Sequence, residues 1–314
     1  MKFAVTASGD LLAAVEKQSM AGEMTAVLLP DAAETVPPAF VVHPAADPRG
    51  VLVFASPHSG GWTPADMGAI EGLSSLSLRS AEDVGVDRLV AAGPRLGAPL
   101  IAAHVSRVYV DLNRAPEELD PALIEGVHGD GSAKVAAGYG VIPRRAGDGA
   151  DLYDRRLSAQ EAQDRLDRVH APYHRALGAL LTDTRAAHGM ALLLDWHSMP
   201  SRAAGAGTGR RSGRGVDIVL GDRHGASARG GVTRRIRALF EAQGLRVALN
   251  TPYAGGFATQ AWGRPDDGFQ AVQIEINRAL YLDETTLEPS PDHDRFAALL
   301  GRVIAAFAQE PWPR

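Results

Sequence analysis

Short apolar runs alternate along the chain with longer stretches of helical periodicity. Runs typical of buried strands occur at 51–55, 99–103, 107–112, 191–194, 216–220, 246–249 and 271–276. Apolar residues at helical spacing predict helices over 158–187, 226–243 and 291–309, and the first of these begins with the capping box Ser158-Ala-Gln-Glu161. Strands that alternate with helices predict an α/β fold, a three-layer sandwich around a mixed, partly parallel sheet.

The domain organisation is interpreted as one catalytic domain over residues 1–314. Residues 1–45 form a lead-in, which becomes rich in proline toward its end, and 291–309 form a C-terminal helix. The stretch 201–215 is rich in glycine and arginine and has no periodicity, so it is expected to be a mobile loop.

The composition is that of a globular protein and disfavours several classes. A formal charge of −5 and a pI near 6.1 give no reason to expect nucleic acid or an anionic membrane as a partner. No apolar run approaches the roughly 20 residues of a membrane span. Charged residues interrupt positions 1–20, where a signal peptide would be apolar, so a cytoplasmic location is expected. Because the chain has no cysteine, any metal site must use histidines and carboxylates.

Polar side chains lie at or near the carboxyl ends of several predicted strands, where α/β sheets collect ligands. They are His58, Asn113, Arg114, Asp195, His197 and Glu275. Two histidines and a carboxylate suit a zinc site that keeps one position open. Taken singly, each histidine is equally compatible with a strand-end residue that is hydrogen-bonded to the backbone.

Two other histidine patterns compete with this interpretation. His170 and His174 are four residues apart on a predicted helix, but no glutamate follows the first and a proline lies between them, which favours packing or pocket lining over metal binding. Ser59 and Ser198 each adjoin a histidine, as a nucleophile does. Neither lies in a G-x-S-x-G sequence, and adjacent strand residues point to opposite faces.

Longer segments carry a family resemblance. Within about residues 40–285 the chain contains, in this order, SPHSGG, SAEDVGVDRL, SRVYVDLNR, YGVIPR, LLLDWHS, DIVLGDRHG, TPYAGGFATQ and VQIEINRALYLDE. These resemble the N-formylglutamate amidohydrolase family of zinc-dependent amide hydrolases. The D-L-N-R and D-x-H pieces also resemble zinc carboxypeptidases and the aspartoacylase/succinylglutamate desuccinylase enzymes. The resemblance implies a phosphorylase/hydrolase-like, zinc-carboxypeptidase-like fold.

The resemblance also implies one bound zinc ion, with His58, His197 and an acid from SAEDVGVD as ligands. The family pattern of an aspartate followed four residues later by another selects Asp83. Cell-wall zinc amidases use a glutamate at the comparable place, which selects Glu82. An acid that is not a ligand would be a solvated residue at a helix N-terminus. Asp195 is implied to orient a neighbouring group.

Further roles follow from the same resemblance. Glu275 is implied to take a proton from the attacking water and pass it to the leaving nitrogen; a structural ion pair with Arg278 is the alternative. Arg107 is implied to polarise the scissile carbonyl, and Asn113 and Arg114 to hold a substrate carboxylate. The glycine-containing loop before the last strand is either substrate-binding or merely a tight turn, and its candidate residues are Tyr253, Gly255 and Gly256.

The expected function is hydrolysis of a small N-acyl acidic amino acid, with N-formyl-L-glutamate as the best match and formate and L-glutamate as products of histidine breakdown. The expected partner is therefore a small molecule with carboxylates. One alternative is a zinc amidase or carboxypeptidase acting on a peptide or cell-wall fragment, which needs a long open groove. The other is a non-catalytic binding protein of the same fold, which would lack a metal ligand or the base.

Overall fold

The computed structural model describes residues 37–48, 50–129, 131–205 and 215–313. Pro38–Arg314 form one compact unit. In the described residues, seven strands form one sheet: β1 (Phe40–His43), β2 (Leu52–Ser56), β3 (Leu100–Ala103), β4 (Ala191–Met199), β5 (Ile218–Gly221), β6 (Val247–Leu249) and β7 (Phe269–Asn277). Their order across the sheet is β1-β3-β2-β4-β7-β5-β6.

The α-helices of the described residues range from single turns to five turns. They are α1 (Ser75–Arg79), α2 (Val86–Leu89), α3 (Ala133–Ala136), α4 (Ala159–Arg165), α5 (Ala171–His188), α6 (Ser201–Ala204), α7 (Gly230–Glu241), α8 (Phe257–Trp262) and α9 (His293–Gln309). A π-helical turn, Leu166–His170, joins α4 to α5, so these elements fill the predicted helix 158–187. The predicted capping box is present, because Ser158 and Glu161 exchange hydrogen bonds. None of these helices is long and apolar enough to cross a membrane.

The sheet is mixed, as predicted. The four adjacent strands β3, β2, β4 and β7 run parallel to one another, and β6 runs parallel to β5. Strand β1 pairs antiparallel with β3, and β5 pairs antiparallel with β7. The four adjacent parallel strands therefore present their carboxyl ends at the same edge.

Helices cover both faces of the sheet, which confirms the three-layer sandwich. Alternate side chains of β4 enter different cores: Leu194 and Trp196 belong to the cluster that includes residues of α7 and α9, whereas Leu193 belongs to the cluster that includes α5. Trp196 is fully buried and packs edge-on against Phe54 and Phe240. Burial on both faces explains why these strands read as continuous apolar runs.

The predicted strand 107–112 is wrong. Its apolar residues Val108, Tyr109, Val110 and Leu112 are buried. The backbone, however, forms turns rather than a ladder: Tyr109 N donates to Ser106 O, and Asp111 N donates to Val141 O. Burial here comes from packing beneath the sheet edge, which an apolar run cannot distinguish from strand pairing.

Two other boundaries differ from prediction. Strand β1 lies inside the stretch interpreted as a lead-in, so the sheet begins at Phe40. The expected loop 201–215 begins with α6, because Ala204 is buried in a small cluster with Met199, Val216 and Val219. Residues 206–214 of that expected loop lie outside the described residues.

Candidate active site

Three adjacent parallel strands deliver the central side chains of the site. His58 follows β2, His197 lies near the end of β4, and Glu275 lies near the end of β7. His197 and Glu275 are register partners across the β4–β7 ladder. The common carboxyl edge thus brings together residues that are far apart in sequence.

Asp83 joins the two histidines to form a buried group. Its backbone N–H donates to the carbonyl oxygen of His58 at 2.9 Å, which anchors the loop before α2 to the end of β2. Asp83 Oδ2 lies 3.1 Å from His197 Nδ1 and 3.5 Å from His58 Nδ1. One ligand atom from each residue falls within 4.8 Å of the others. His58 Nδ1 is buried and has no hydrogen-bond partner among the described residues. An unpaired imidazole nitrogen in a His-Asp-His set fits a divalent ion such as zinc.

The far side of each imidazole is held by a carboxylate. His58 Nε2 lies 2.7 Å from Asp111 Oδ1, and His197 Nε2 lies 2.9 Å from Asp195 Oδ2. A carboxylate at Nε2 retains the proton there and leaves the Nδ1 lone pair for a metal ion. Asp195 therefore lies where an orienting residue is needed. Asp111 has the same position beside His58, and sequence reasoning gave it no role although it begins the D-L-N-R segment.

Asp83 is also fixed on its other side. Its Oδ1 accepts hydrogen bonds from Ser198 Oγ at 3.1 Å and from Arg278 Nη2 at 3.0 Å, so Oδ2 alone faces the histidines. The adjacent Glu82 instead pairs its carboxylate with Arg79 at 2.7 Å. Both acids are buried, which does not fit a solvated helix N-terminus. The structure thus groups Asp83, and not Glu82, with the histidines.

The protein shifts the protonation equilibria of the group in different directions. Burial acts to raise the pKa of Asp83, but the hydrogen bond with His197 and the more distant interaction with His58 outweigh it and lower that pKa well below its usual value. Burial also opposes the charged form of His197, and Asp195 and Asp83 outweigh it and raise the His197 pKa. For Glu275, burial is the largest influence and raises the pKa, although His197 opposes the shift. Two carboxylates in one site thus have opposite tendencies.

Glu275 is held inside the site by its own strand. Gln273 lies two residues earlier on the same face of β7, and its Nε2 donates to Glu275 Oε1 at 2.6 Å. The alternative ion pair between Glu275 and Arg278 is not formed, because Arg278 donates to Asp83 and Ser198. Gln273 therefore positions the Glu275 carboxyl, and Arg278 does not neutralise it.

The two candidate arginines share one acid. Arg107 Nη2 donates to Asp111 Oδ2 at 2.6 Å, and Arg114 Nε lies 3.9 Å from the same oxygen. Arg114 also pairs with Glu118 at 3.2 Å. A guanidinium has five N–H donors, so each arginine retains donors for a substrate.

Asn113 and the candidate glycines fit each other closely. Asn113 Oδ1 accepts from Ala258 N at 2.9 Å, and its Nδ2 lies 3.4 Å from Gln273 Oε1. A Cβ at Gly256 would come within 2.4 Å of the Asn113 amide nitrogen, and one at Gly255, where φ is +122°, within 2.5 Å of Thr259 Oγ1. Glycine at these two positions therefore permits close packing of Gly256 on Asn113 and of Gly255 on Thr259. This packing is a structural reason for glycine in a loop for which the sequence left open both substrate binding and a tight turn.

The helical histidines support the D-L-N-R segment from below. His170 Nε2 and His174 Nε2 each lie 2.9 Å from a backbone carbonyl oxygen, of Arg114 and Leu112 respectively. Burial is the main cause that lowers the pKa of His174, to about 3, so it is neutral near pH 7. The Nε2 atoms of both histidines contact backbone carbonyl groups, which agrees with the packing interpretation and not with a metal site.

The two serines considered as nucleophiles, Ser59 and Ser198, have hydrogen-bond partners other than the adjacent histidines. Ser198 donates to Asp83 and not to His197, as the alternation of side chains along β4 requires. Ser59 Oγ accepts from Asp87 N at 3.1 Å.

The site opens into a cavity of about 380 Å³. Its walls include every residue proposed above for metal, catalysis and substrate except Glu82, namely His58, Asp83, Arg107, Asn113, Arg114, His197, Tyr253, Gly255, Gly256 and Glu275. Asp111, Lys134, Gln273 and Arg278 also line it. That volume lies within the range of small-molecule sites.

Comparisons with known proteins agree with this architecture. The sequence model of the family described as N-formylglutamate amidohydrolase matches residues 50–282. The N-formylglutamate deformylase of Pseudomonas aeruginosa is 34% identical over 241 residues, covering 75% of this chain and 84% of that protein. The enzyme of the same name from Pseudomonas putida is 33% identical over 193 residues, covering 60% and 66%. The crystal structure of N-formylglutamate amidohydrolase from Ralstonia eutropha JMP134 aligns with a TM-score of 0.79 and 34% identity over 86% of this chain and 97% of that one.

An α/β sandwich with these relatives is an enzyme of the amide hydrolase class. More specifically, the chain belongs to the N-formylglutamate amidohydrolase family, which confirms the resemblance seen in the sequence.

Substitution of each acid in turn should show whether Asp83 or Glu82 binds the metal. Asp83→Asn keeps the shape but removes the charge, so zinc affinity should fall by more than the roughly 10- to 100-fold that loss of an outer hydrogen-bond partner costs. Glu82→Gln, its neighbour and matched control, should bind zinc as wild type does. The measurement is zinc competition against a chromophoric chelator, with circular dichroism as a check of folding. The assignment is wrong if Glu82→Gln loses zinc and Asp83→Asn keeps it.

Proposed function

We propose that the protein is a zinc-dependent hydrolase that converts N-formyl-L-glutamate and water into formate and L-glutamate. The observation that carries this proposal is the buried group of His58, Asp83 and His197 beside Glu275, in a chain of this family. The substrate is taken from the names of relatives that are 33–34% identical. A place in histidine breakdown and a cytoplasmic location remain predictions.

The metal would be held by His58 Nδ1, His197 Nδ1 and Asp83 Oδ2. When bound there, zinc supplies Lewis acidity, which lowers the pKa of water and polarises the scissile carbonyl. Asp111 and Asp195 keep both imidazoles in the tautomer with a free Nδ1. Arg278 and Ser198 hold Asp83 so that Oδ2 faces the histidines.

Glu275 acts first as a base and then as an acid. It accepts a proton from the water that attacks the formyl carbon, and it delivers that proton to the nitrogen as the C–N bond breaks. Its position opposite His197 on the β4–β7 ladder, and its charge interactions with His197, Asp83 and His58, support this role. The raised pKa of this buried carboxyl favours the protonated form that the second step requires.

Arg107 and Arg114 are proposed to have different roles, the first in the reaction and the second in substrate recognition. Arg107 lies next to the metal group through Asp111 and is proposed to stabilise the oxyanion that develops on the formyl oxygen. Arg114 presents a planar guanidinium to the cavity and is proposed to hold a substrate carboxylate. Asn113 and the loop with Tyr253, Gly255 and Gly256 are proposed to complete the substrate pocket.

The competing functions receive less support. A peptide or cell-wall substrate needs an extended groove, whereas the cavity at this site has a volume of about 380 Å³. A non-catalytic binding protein would lack a ligand or the base, whereas His58, Asp83, His197 and Glu275 all lie together.

The function is tested by loading the purified protein with zinc and measuring the primary amine that amide hydrolysis releases, with formate release as a second readout for N-formyl-L-glutamate. N-formyl-L-glutamate should be hydrolysed, and a chelator should remove the activity until zinc is restored. N-acetyl-L-glutamate and a short peptidoglycan peptide serve as competing substrates. Faster hydrolysis of the peptide would reject the proposal in favour of the amidase.

Glu275→Gln should separate proton transfer from metal binding. Glutamine keeps the size and the contact with Gln273 but cannot carry a proton, so kcat should fall by roughly 10²- to 10⁴-fold. Zinc content should stay at the wild-type level, because Glu275 is not a proposed ligand. A variant within about threefold of the wild-type kcat would exclude Glu275 from this role.

The two arginines should give different kinetic signatures. Arg107→Lys removes a donor to the oxyanion, so kcat should fall by roughly 10²- to 10³-fold. Arg114→Lys keeps the charge but removes the planar guanidinium, so KM for N-formyl-L-glutamate should rise with little change in kcat. Zinc titration of both variants controls for disturbance of Asp111. The roles are reversed if Arg107→Lys changes mainly KM and Arg114→Lys mainly kcat.

A further inference from the structure

The cavity contains more cationic side chains than the roles above use. The cations that line it are Arg107, Arg114, Lys134, Arg145, Arg202 and Arg278. Four of them pair with carboxylates at 2.6–3.2 Å: Arg107 with Asp111, Arg114 with Glu118, Arg145 with Asp151 and Arg278 with Asp83. Lys134 and Arg202 have no carboxylate partner within the part of the chain that the structure describes.

Lys134 is the one of these two whose charge interacts with residues given roles above. It is an exposed residue of α3 that lines the cavity, and the charges of Arg114, Asp111, Glu118 and Arg107 all act on its ammonium. Desolvation by the surrounding protein lowers the pKa of Lys134, and the Arg114 guanidinium lowers it further. Arg114 has a carboxylate partner, Glu118, whereas Lys134 has none among the described residues. An anion that binds beside Lys134 would therefore stabilise its charged form.

The sequence makes this lysine unusual. The chain contains three lysines, Lys2, Lys17 and Lys134, and otherwise uses arginine for its positive charges. Lys134 is therefore the sole ammonium group on the cavity wall among residues that the structure describes. A compact ammonium on a flexible stem can reach a carboxylate whose position varies with side-chain torsion, which the planar guanidinium of Arg114 does less readily.

An N-formyl acidic amino acid carries two carboxylates that need separate cations. The α-carboxylate is two bonds from the reacting nitrogen, whereas the side-chain carboxylate of glutamate lies beyond two further methylene groups. With Arg107 assigned to the formyl oxygen and Arg114 to one carboxylate, an unpaired cation on the cavity wall is the best match in charge for the other carboxylate.

We infer that Lys134 binds the side-chain carboxylate of the substrate and thereby sets the preference for acidic over neutral N-formyl amino acids, with Arg114 at the α-carboxylate. This inference rests on the proposed function. It adds a specificity-determining residue and identifies the ligand class of this part of the cavity as a dicarboxylate.

The first test pairs a change in the protein with a change in the substrate. Wild type should prefer N-formyl-L-glutamate to N-formyl-L-glutamine by roughly 10- to 100-fold in kcat/KM, the worth of one charge-assisted hydrogen bond. In Lys134→Met, kcat/KM for N-formyl-L-glutamate should fall by that factor, whereas kcat/KM for N-formyl-L-glutamine should stay within about threefold of the wild-type value. Lys134→Arg should restore part of the preference. Arg145→Met, which removes a cavity cation already paired with Asp151, should keep it.

The second test reads binding directly, without turnover. Slow acetylation of amines followed by peptide mass mapping gives a labelling rate for each lysine. L-Glutamate, the proposed product, should protect Lys134, whereas L-glutamine should not, and the lysines of an unrelated protein added to the same sample serve as the reference.

Each outcome decides something. The inference is wrong if Lys134→Met keeps the wild-type preference, or if its kcat/KM falls equally for both substrates. It is also wrong if L-glutamate leaves the labelling rate of Lys134 unchanged. In each of these cases the deformylase assignment stands. If wild type releases formate from neither compound, the proposed function is wrong and the role of Lys134 falls with it.

Discussion

The parallel pairing of β4 with β2 and β7 is the constraint on which the site depends. It aligns three carboxyl ends at one edge, so His58, His197 and Glu275 meet although the first and last are more than 200 residues apart in sequence. The pairing is held by side chains buried on both faces of the sheet, such as Leu193 and Leu194, which makes the site rigid where it must be accurate.

Burial of so many charges at that edge is tolerated because each charge has a partner. Asp111 is the central example: it accepts hydrogen bonds from His58 and Arg107, and burial, which would raise its pKa, is outweighed by the charges of these two residues. The two helical histidines, His170 and His174, contact the carbonyl groups of Arg114 and Leu112, in the segment that directly follows it. One aspartate thus couples the orientation of His58, the proposed metal ligand, to the position of Arg107, the proposed donor to the oxyanion.

The sequence predicts the strand-borne part of this site well and the loop-borne part poorly. His58, His197 and Glu275 could be found because an apolar run that ends in a histidine or encloses a carboxylate is unusual. The turn at 107–112 was mistaken for a strand because its side chains are buried, and burial in a loop leaves the same pattern as burial in a sheet. Asp111 was missed because its function is to contact His58, which only the folded chain reveals, and Lys134 because nothing in its surrounding sequence marks it.

This division between strands and loops has a chemical consequence. Three of the residues proposed to act on the water and the formyl carbon, His58, His197 and Glu275, lie at or near the ends of paired strands, where small displacements are resisted by the whole sheet. The cation assigned to the substrate side chain, Lys134, lies on a single-turn helix between long connecting segments, where substitution disturbs little else. The substrate preference can therefore change by alteration of the loop cations while the hydrolytic group stays intact. Under the proposed roles, selectivity and proton transfer are separable because a helix in a connecting segment positions Lys134, whereas a paired strand positions Glu275.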